Sequence, residues 1–409
     1  MSSSSPIPPE GDPESPLSSD ASAGEGALVI RGARILVAPD AAPIDRGTVL
    51  VRKGRISKLG DNIAAPSTAR EIDGAGRVLT AGFWNSHVHF TEPKWRRVRA
   101  KDQHLIEAQL YDMFTSRGFT TVVDTGSDPR RTLQLRHRIE YEAWLGPRIY
   151  TAGSGIYPPH GIPHYVRDTV PALLRPLLPT PPSPRLARRV VRRNIARGAE
   201  LIKLFTGSYV EPGKVQPMPE PVARAAVEAA HEHGLPVFSH PSNLEGTRVA
   251  VRAGVDVLAH PPDMTGGVDE PLLREMVDRR MSMIPTLQMF ERTVSTDRSY
   301  LEPIYAIVRR FHTLGGSILF GTDVGYMTDY TIHDELRALH GCGLSPSEIL
   351  RSLTSAPADR FGVGGEVGNI ALGARADLVL LDADPLEDPI ALTRVYATVR
   401  GGRVLHLRP

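Results

Sequence analysis

The sequence predicts an α/β protein: a (β/α)8 barrel carrying a small β domain built from both ends of the chain. Three observations predict it. Residues 27–78 and 376–409 read as short strands and turns, whereas the middle alternates strand-like and helical runs. Eight such βα units over roughly 270 residues fit a closed barrel better than an open sheet. Gly118, Gly198, Gly234 and Gly254 each close a helical pattern just ahead of a strand-like run.

The elements follow in order. Residues 1–26 are rich in Ser, Pro and Gly, with neither a basic region nor an apolar core. They are expected to be a disordered leader and not a signal peptide. Residues 27–78 hold "ALVIRGARILV", "GTVLVRKGRISKLG" and "REIDGAGRVLT", the N-terminal part of the β domain. The barrel spans 79–357, with strands expected at 79–86, 119–124, 147–152, 200–205, 236–239, 255–259, 281–286 and 317–321. Helical patterns such as "LIEAQLYDMFTSRG", "TRVAVRAG" and "HDELRALHGCG" separate them. Residues 358–409 return to β patterns, "ADLVLLDADP" and "YATVRGGRVLHL".

Composition excludes several classes. A chain of 409 residues with 41% hydrophobic and 23% charged residues can bury a large core. The net charge of +2 gives no case for a nucleic-acid partner. The one basic block, "RLARRVVRRNIARG", has helical spacing and reads as a solvated helix face. Cys342 is the single cysteine, which rules out a disulfide framework or a thiolate metal site. There is no run of 18 apolar residues, so no membrane partner is expected and the cytoplasm is the expected location.

The chemistry starts at "GFWNSHVHF", residues 82–90. On a strand, residues i and i+2 share a face, so His87 and His89 could reach one ion. The pair in "HEHG", His231 and His233, ends a helical pattern, where i and i+2 diverge; it reads as a C-terminal cap. In a barrel, function sits at the C-terminal ends of the strands. Those ends offer His87 and His89, then Lys203, His240, His260 and Asp323. Singly, each has an ordinary reading: a hydrogen-bonded core histidine, a paired lysine, a turn aspartate. Five of eight strands keeping the same phase is what scattered core residues would not do.

Imidazole and carboxylate without thiolate suit Zn²⁺, with Mn²⁺ or Co²⁺ as substitutes. Of 48 Lys and Arg residues only six are lysine, so a lysine among the candidates needs a reason. An ammonium repels a cation, but a neutral lysine can take up CO₂ as a carbamate, an anionic ligand that bridges two ions. Arginine, always protonated, cannot. Two ions ~3.5–4 Å apart activate water and polarise a carbonyl together. Asp323 could bind one ion and also carry the proton from the attacking water to the leaving group.

These residues bring the chain to a family it resembles, the amidohydrolase superfamily, in particular its imidazolonepropionase-like and prolidase-like members. The resemblance covers about 27–409 and rests on "HVH", "GFTTVVDTG", "GAELIKLF", "VFSHPSN", "GVDVLAHP", "ILFGTDVG" and "GNIALGARADLVLLDADPL". It implies a distorted barrel with a β-sandwich made by both termini. It also implies that His87, His89 and Asp323 hold one ion and His240 and His260 the other, with carboxylated Lys203 between them. Asn85 departs from the pattern, where relatives commonly carry Asp. Loops after strands 3, 4 and 7 are expected to roof the pocket, offering Tyr157, His160, His164, Tyr165 and Tyr209 to a substrate. The expected substrate is a small amide: a blocked amino acid, a dipeptide or a cyclic amide. A homo-oligomer is left open. Two other readings stand beside this one, a mononuclear deaminase or cyclic-imide hydrolase on the same fold, and an inactive binding scaffold.

Overall fold

The computed structural model describes residues 26–263, 267–294 and 297–409. The leader expectation, apart from Gly26, lies outside the described residues. The middle of the chain forms eight short parallel strands: β1 Phe83–Val88, β2 Phe119–Asp124, β3 Arg148–Thr151, β4 Ile202–Phe205, β5 Val237–His240, β6 Val257–Ala259, β7 Ser282–Ile284 and β8 Ser317–Ile318. Strands β1 to β3 pair in one sheet and β4 to β8 in another. Backbone hydrogen bonds join the two sheets on both sides. Ser86 N–H donates to Phe320 O (2.8 Å) on one side, and Ile156 N–H to Lys203 O (2.8 Å) on the other. The result is TIM-barrel-like, with helices between successive strands. Strands β1 and β2 are buried along their whole length, as expected when helices cover a parallel sheet.

Both ends of the chain meet in one eight-stranded hydrogen-bonded sheet. Leu378–Leu381, from the C-terminal side, pairs antiparallel with Val78–Ala81, from the N-terminal side. Ile30, Val49, Val51, Leu79, Leu378 and Val399 belong to its own apolar cluster. Two buried ion pairs tie it to the barrel: Arg148 to Asp377 at 2.5 Å, and Arg400 to Glu140.

The run expected as one strand over 79–86 divides at Gly82. A Cβ there would lie 2.2 Å from Thr120 Oγ1, and the Gly82 amide donates to Asp377 O at 2.8 Å. Val78–Ala81 therefore stays in the small sheet while β1 turns into the barrel. The four glycines ahead of strands all have positive φ, from +67° to +93°, the left-handed cap that a side chain would strain.

The basic block forms the helix Pro184–Ala196, burying Ala187 and Val191. On its outer face Arg188 and Arg192 pair with Glu232, the residue that caps the end of the next helix, Glu220–His231. His233 Nδ1 donates to the Ala229 carbonyl (3.0 Å) at that helix's end, and His231 pairs with Asp256. Among the described residues, no helix is long and apolar enough to cross a membrane.

Candidate active site

The strand ends bring the sequence-derived candidates together. His87 lies in buried β1 just before its last residue, Val88, and His89 follows the strand, with ring centroids 5.2 Å apart. Asp323 lies beyond β8, where its N–H donates to His87 O (2.9 Å). Its carboxylate faces three imidazoles: His89 Nε2 at 3.0 Å, His87 Nε2 at 3.4 Å and His260 Nε2 at 3.7 Å. His240 closes β5, edge-on to His260 at 4.8 Å and stacked on Phe205 at 5.2 Å. His260 and Asp323 sit at φ +99° and +59°, backbone strain of the sort that collects at functional sites.

Hydrogen bonds set the tautomer of His89 and, with the Thr286 hydroxyl turned to Pro285 O, that of His260. His89 Nδ1 lies 2.7 Å from the Gly126 carbonyl, which only accepts, so Nδ1 carries the proton. The Thr286 hydroxyl donates its single proton to Pro285 O (2.7 Å). It therefore accepts from His260 Nδ1, 2.6 Å away. In both neutral rings the Nε2 lone pair then faces the Asp323 carboxylate. Acceptor faces acceptor, and Asp323 Oδ1 has no hydrogen-bond partner. A divalent ion on these nitrogens and the carboxylate would relieve that arrangement, so the residues fit one.

Charge states agree for three of the four rings. Burial, and then the Lys203 ammonium and neighbouring imidazoles, hold His87 and His240 well below the usual range. Burial and then His240 and Lys203 do the same to His260. These rings are neutral ligand donors near neutral pH. Burial also lowers His89, but the adjacent Asp323 carboxylate outweighs it and raises that ring overall. Lys203 on β4 is 1% exposed. Burial pushes it down to about 7 against the pull of Asp323. Among the described residues it has no ion pair within 4.0 Å, which removes its ordinary reading as a paired cation.

The substrate candidates divide. Tyr157 is buried and packs at a tilt against Phe205 (4.7 Å), one ring away from His240. Tyr165 packs on Tyr326 (5.8 Å), whose N–H donates to Asp323 O (3.2 Å). His164 lies edge-on to Tyr165 at 5.5 Å, while His160 is exposed. The Tyr209 hydroxyl donates to Asp263 Oδ1, and Tyr300 donates to Oδ2 at 2.6 Å. Asp263 thus fastens three roof segments, and neither it nor Tyr300 stood out in the sequence.

A supporting layer also escaped sequence reasoning. Asp124, at the end of β2, accepts from Ser127 Oγ (2.6 Å), Thr132 Oγ1 (2.8 Å) and Thr151 Oγ1 (2.9 Å). It thereby fixes the loop whose Gly126 carbonyl holds His89. Asn85 Oδ1 accepts from the amides of His87 and Thr322 (3.2 Å each), and its Nδ2 donates to Thr322 Oγ1 (2.7 Å). It stitches β1 to the Asp323 loop.

Residues 78–405 match the Amidohydrolase family. Among characterised proteins, the imidazolonepropionase of Caldanaerobacter subterraneus is 22% identical over 372 residues, covering 84% of this chain and 86% of that protein. That of Thermoplasma acidophilum is 23% identical over 409 residues, covering 94% of each. Among solved structures, a Xaa-Pro dipeptidase with methionine in its active site superposes with TM-score 0.80 at 22% identity, covering 93% of this chain and 99% of that one. Molinate hydrolase follows at TM-score 0.76 and 22% identity, covering 93% and 94%. With its family model matched across the barrel and the C-terminal strands of the small sheet, the chain belongs to the amidohydrolase family and is a metal-dependent hydrolase of carbon–nitrogen bonds in small molecules.

Proposed function

We propose that the chain hydrolyses an amide-type C–N bond in a blocked amino acid, a dipeptide or a cyclic amide. The observation that carries this is the carboxylate of Asp323 facing the Nε2 lone pairs of His89 and His260, a buried set of acceptors that needs a cation. His87, His89 and Asp323 would hold one Zn²⁺, with Mn²⁺ or Co²⁺ as substitutes, and His240 and His260 a second. Lys203, neutral when it reacts, would add its amine to CO₂, release a proton, and serve as the bridging carbamate. Bound divalent ions supply Lewis acidity that polarises the scissile carbonyl and makes water acidic.

The chain's own residues do the rest. Asp323 takes the proton of the attacking water and delivers it to the leaving nitrogen. Tyr157 and Phe205 form an apolar wall next to His240 that excludes bulk water. We read the fold as a closed (β/α)8 barrel over 79–357 with a β-sandwich from 27–78 and 358–409, and place the protein in the cytoplasm. A small-amide substrate also suits the Xaa-Pro dipeptidase and imidazolonepropionases among its relatives.

A one-ion reading, as in a deaminase or cyclic-imide hydrolase, has one observation in its favour. Among the described residues, the one group of three or more whose ligand atoms all lie within 4.8 Å of one another is His87, His260 and Asp323. The test of the main reading is chelation. Metal-free protein should lose hydrolysis of a dipeptide and acyl-amino-acid panel and regain it with Zn²⁺, Mn²⁺ or Co²⁺. Full activity after metal removal would overturn it.

A further inference from the structure

Glu335 is a fully buried carboxylate that the chemistry above does not use. It lies on the helix His333–Gly341, which follows the Asp323 loop, and it faces the turn after β7. Its Oε2 accepts from the Gln288 amide at 2.7 Å, and the Leu287 and Thr286 amides also favour its charged form. Gln288 answers with its own side chain: Oε1 accepts from the Glu335 amide (3.2 Å) and Nε2 donates to Thr331 O (2.9 Å). Three successive amides at the start of a helix are donors without partners inside that helix. The Glu335 Oε2 acceptor meets one of them, the Gln288 amide, directly.

The turn held in this way is strained. Thr286 sits at φ +48°, a conformation that costs a β-branched residue most. Something must keep it there, and what it achieves is visible. In this conformation the Thr286 hydroxyl donates back to Pro285 O and so presents only a lone pair to His260 Nδ1. A hydroxyl free to rotate could donate to Nδ1 instead, which would move the ring proton to Nε2 and block the atom that faces Asp323.

We propose that Glu335 and Thr286 are positioning residues for His260. Glu335 clamps the left-handed turn, and the Thr286 hydroxyl sets the tautomer and aim of the ring. The inference rests on reading His260 as a ligand. Partners of this kind orient ligands, and their loss typically costs about 10–100-fold in metal affinity.

The test is equilibrium binding of Zn²⁺ to metal-free protein, together with the visible absorption of the Co²⁺ form and the thermal midpoint of each metal-free variant. Thr286→Val should bind one ion per chain about 10–100-fold more weakly and alter the Co²⁺ spectrum. Thr286→Ser, which keeps the hydroxyl, should bind like wild type. Glu335→Ala, which removes the acceptor for the Gln288 amide, should resemble Thr286→Val. If Thr286→Val does not fold, Thr286→Ala removes the same hydroxyl and also relieves the β-branched strain. Folded Thr286→Ala or Thr286→Val with wild-type affinity for every ion would overturn the inference. That result differs from failure of the functional reading, in which wild type itself would bind no divalent ion.

Discussion

Replacing Asp377 with Ala should unfold the protein far more easily than its distance from the chemistry suggests. Asp377 sits where the small sheet meets the barrel. Its Oδ2 pairs with Arg148 at 2.5 Å, and its Oδ1 accepts from the Gly401 amide at 2.8 Å. Its backbone carbonyl holds Gly82 just ahead of β1. The Arg148 and Asp377 side chains are only 0% and 3% exposed, so water cannot replace either partner. Arg148 Nε and Nη2 already lack hydrogen bonds. Removing the carboxylate would strand a buried guanidinium, which costs about 3–5 kcal/mol. Arg148→Met should cost less, because Asp377 would keep the Gly401 amide and the field of Arg400. The double variant should then be less damaged than the sum of the singles, with a coupling of about 2 kcal/mol or more. Urea unfolding of metal-free protein, followed by tryptophan fluorescence, gives these differences. An Asp377→Ala loss under about 1 kcal/mol, or additive effects, would refute the reasoning.

Three further outcomes are expected. Asp323→Asn should lower turnover by about 10²–10⁴-fold by removing the proton carrier, while elemental analysis still finds metal; near-normal turnover would remove Asp323 from that role. Lys203→Ala should lose turnover and recover part of it in concentrated acetate or propionate, whereas Lys203→Arg should stay inactive; an active Lys203→Arg would make the lysine an ordinary cation. Burial pushes Glu335 up to about 8 from 4.5, so the folded state holds that proton more tightly. Stability should therefore fall as pH rises between about 4.5 and about 8, with no further slope from this group outside that window. Glu335→Gln should remove that part of the slope, and denaturation midpoints with an unchanged slope would contradict it.

The strand-end residues were legible in the sequence because a barrel imposes one phase on them. The structure brings His87, His89, His240, His260, Lys203 and Asp323 around one centre. The break at Gly82 was not legible, since apolar residues flank it on both sides and its cause is Thr120 on the neighbouring strand. Asp124, Thr286 and Glu335 were also hidden. Each acts through a partner distant in sequence or through its backbone conformation, and none carries a spacing signature. Tyr209 was read from its loop as a substrate contact, but its hydroxyl is engaged by Asp263, 54 residues away.

The most direct measurement is a Zn²⁺ titration of the metal-free chain, counted by elemental analysis after removal of free ion. Two ions per chain are predicted, falling by at least one in Lys203→Ala. A wild-type chain that saturates at one ion would contradict a bridging Lys203, and one that binds none would contradict the site itself.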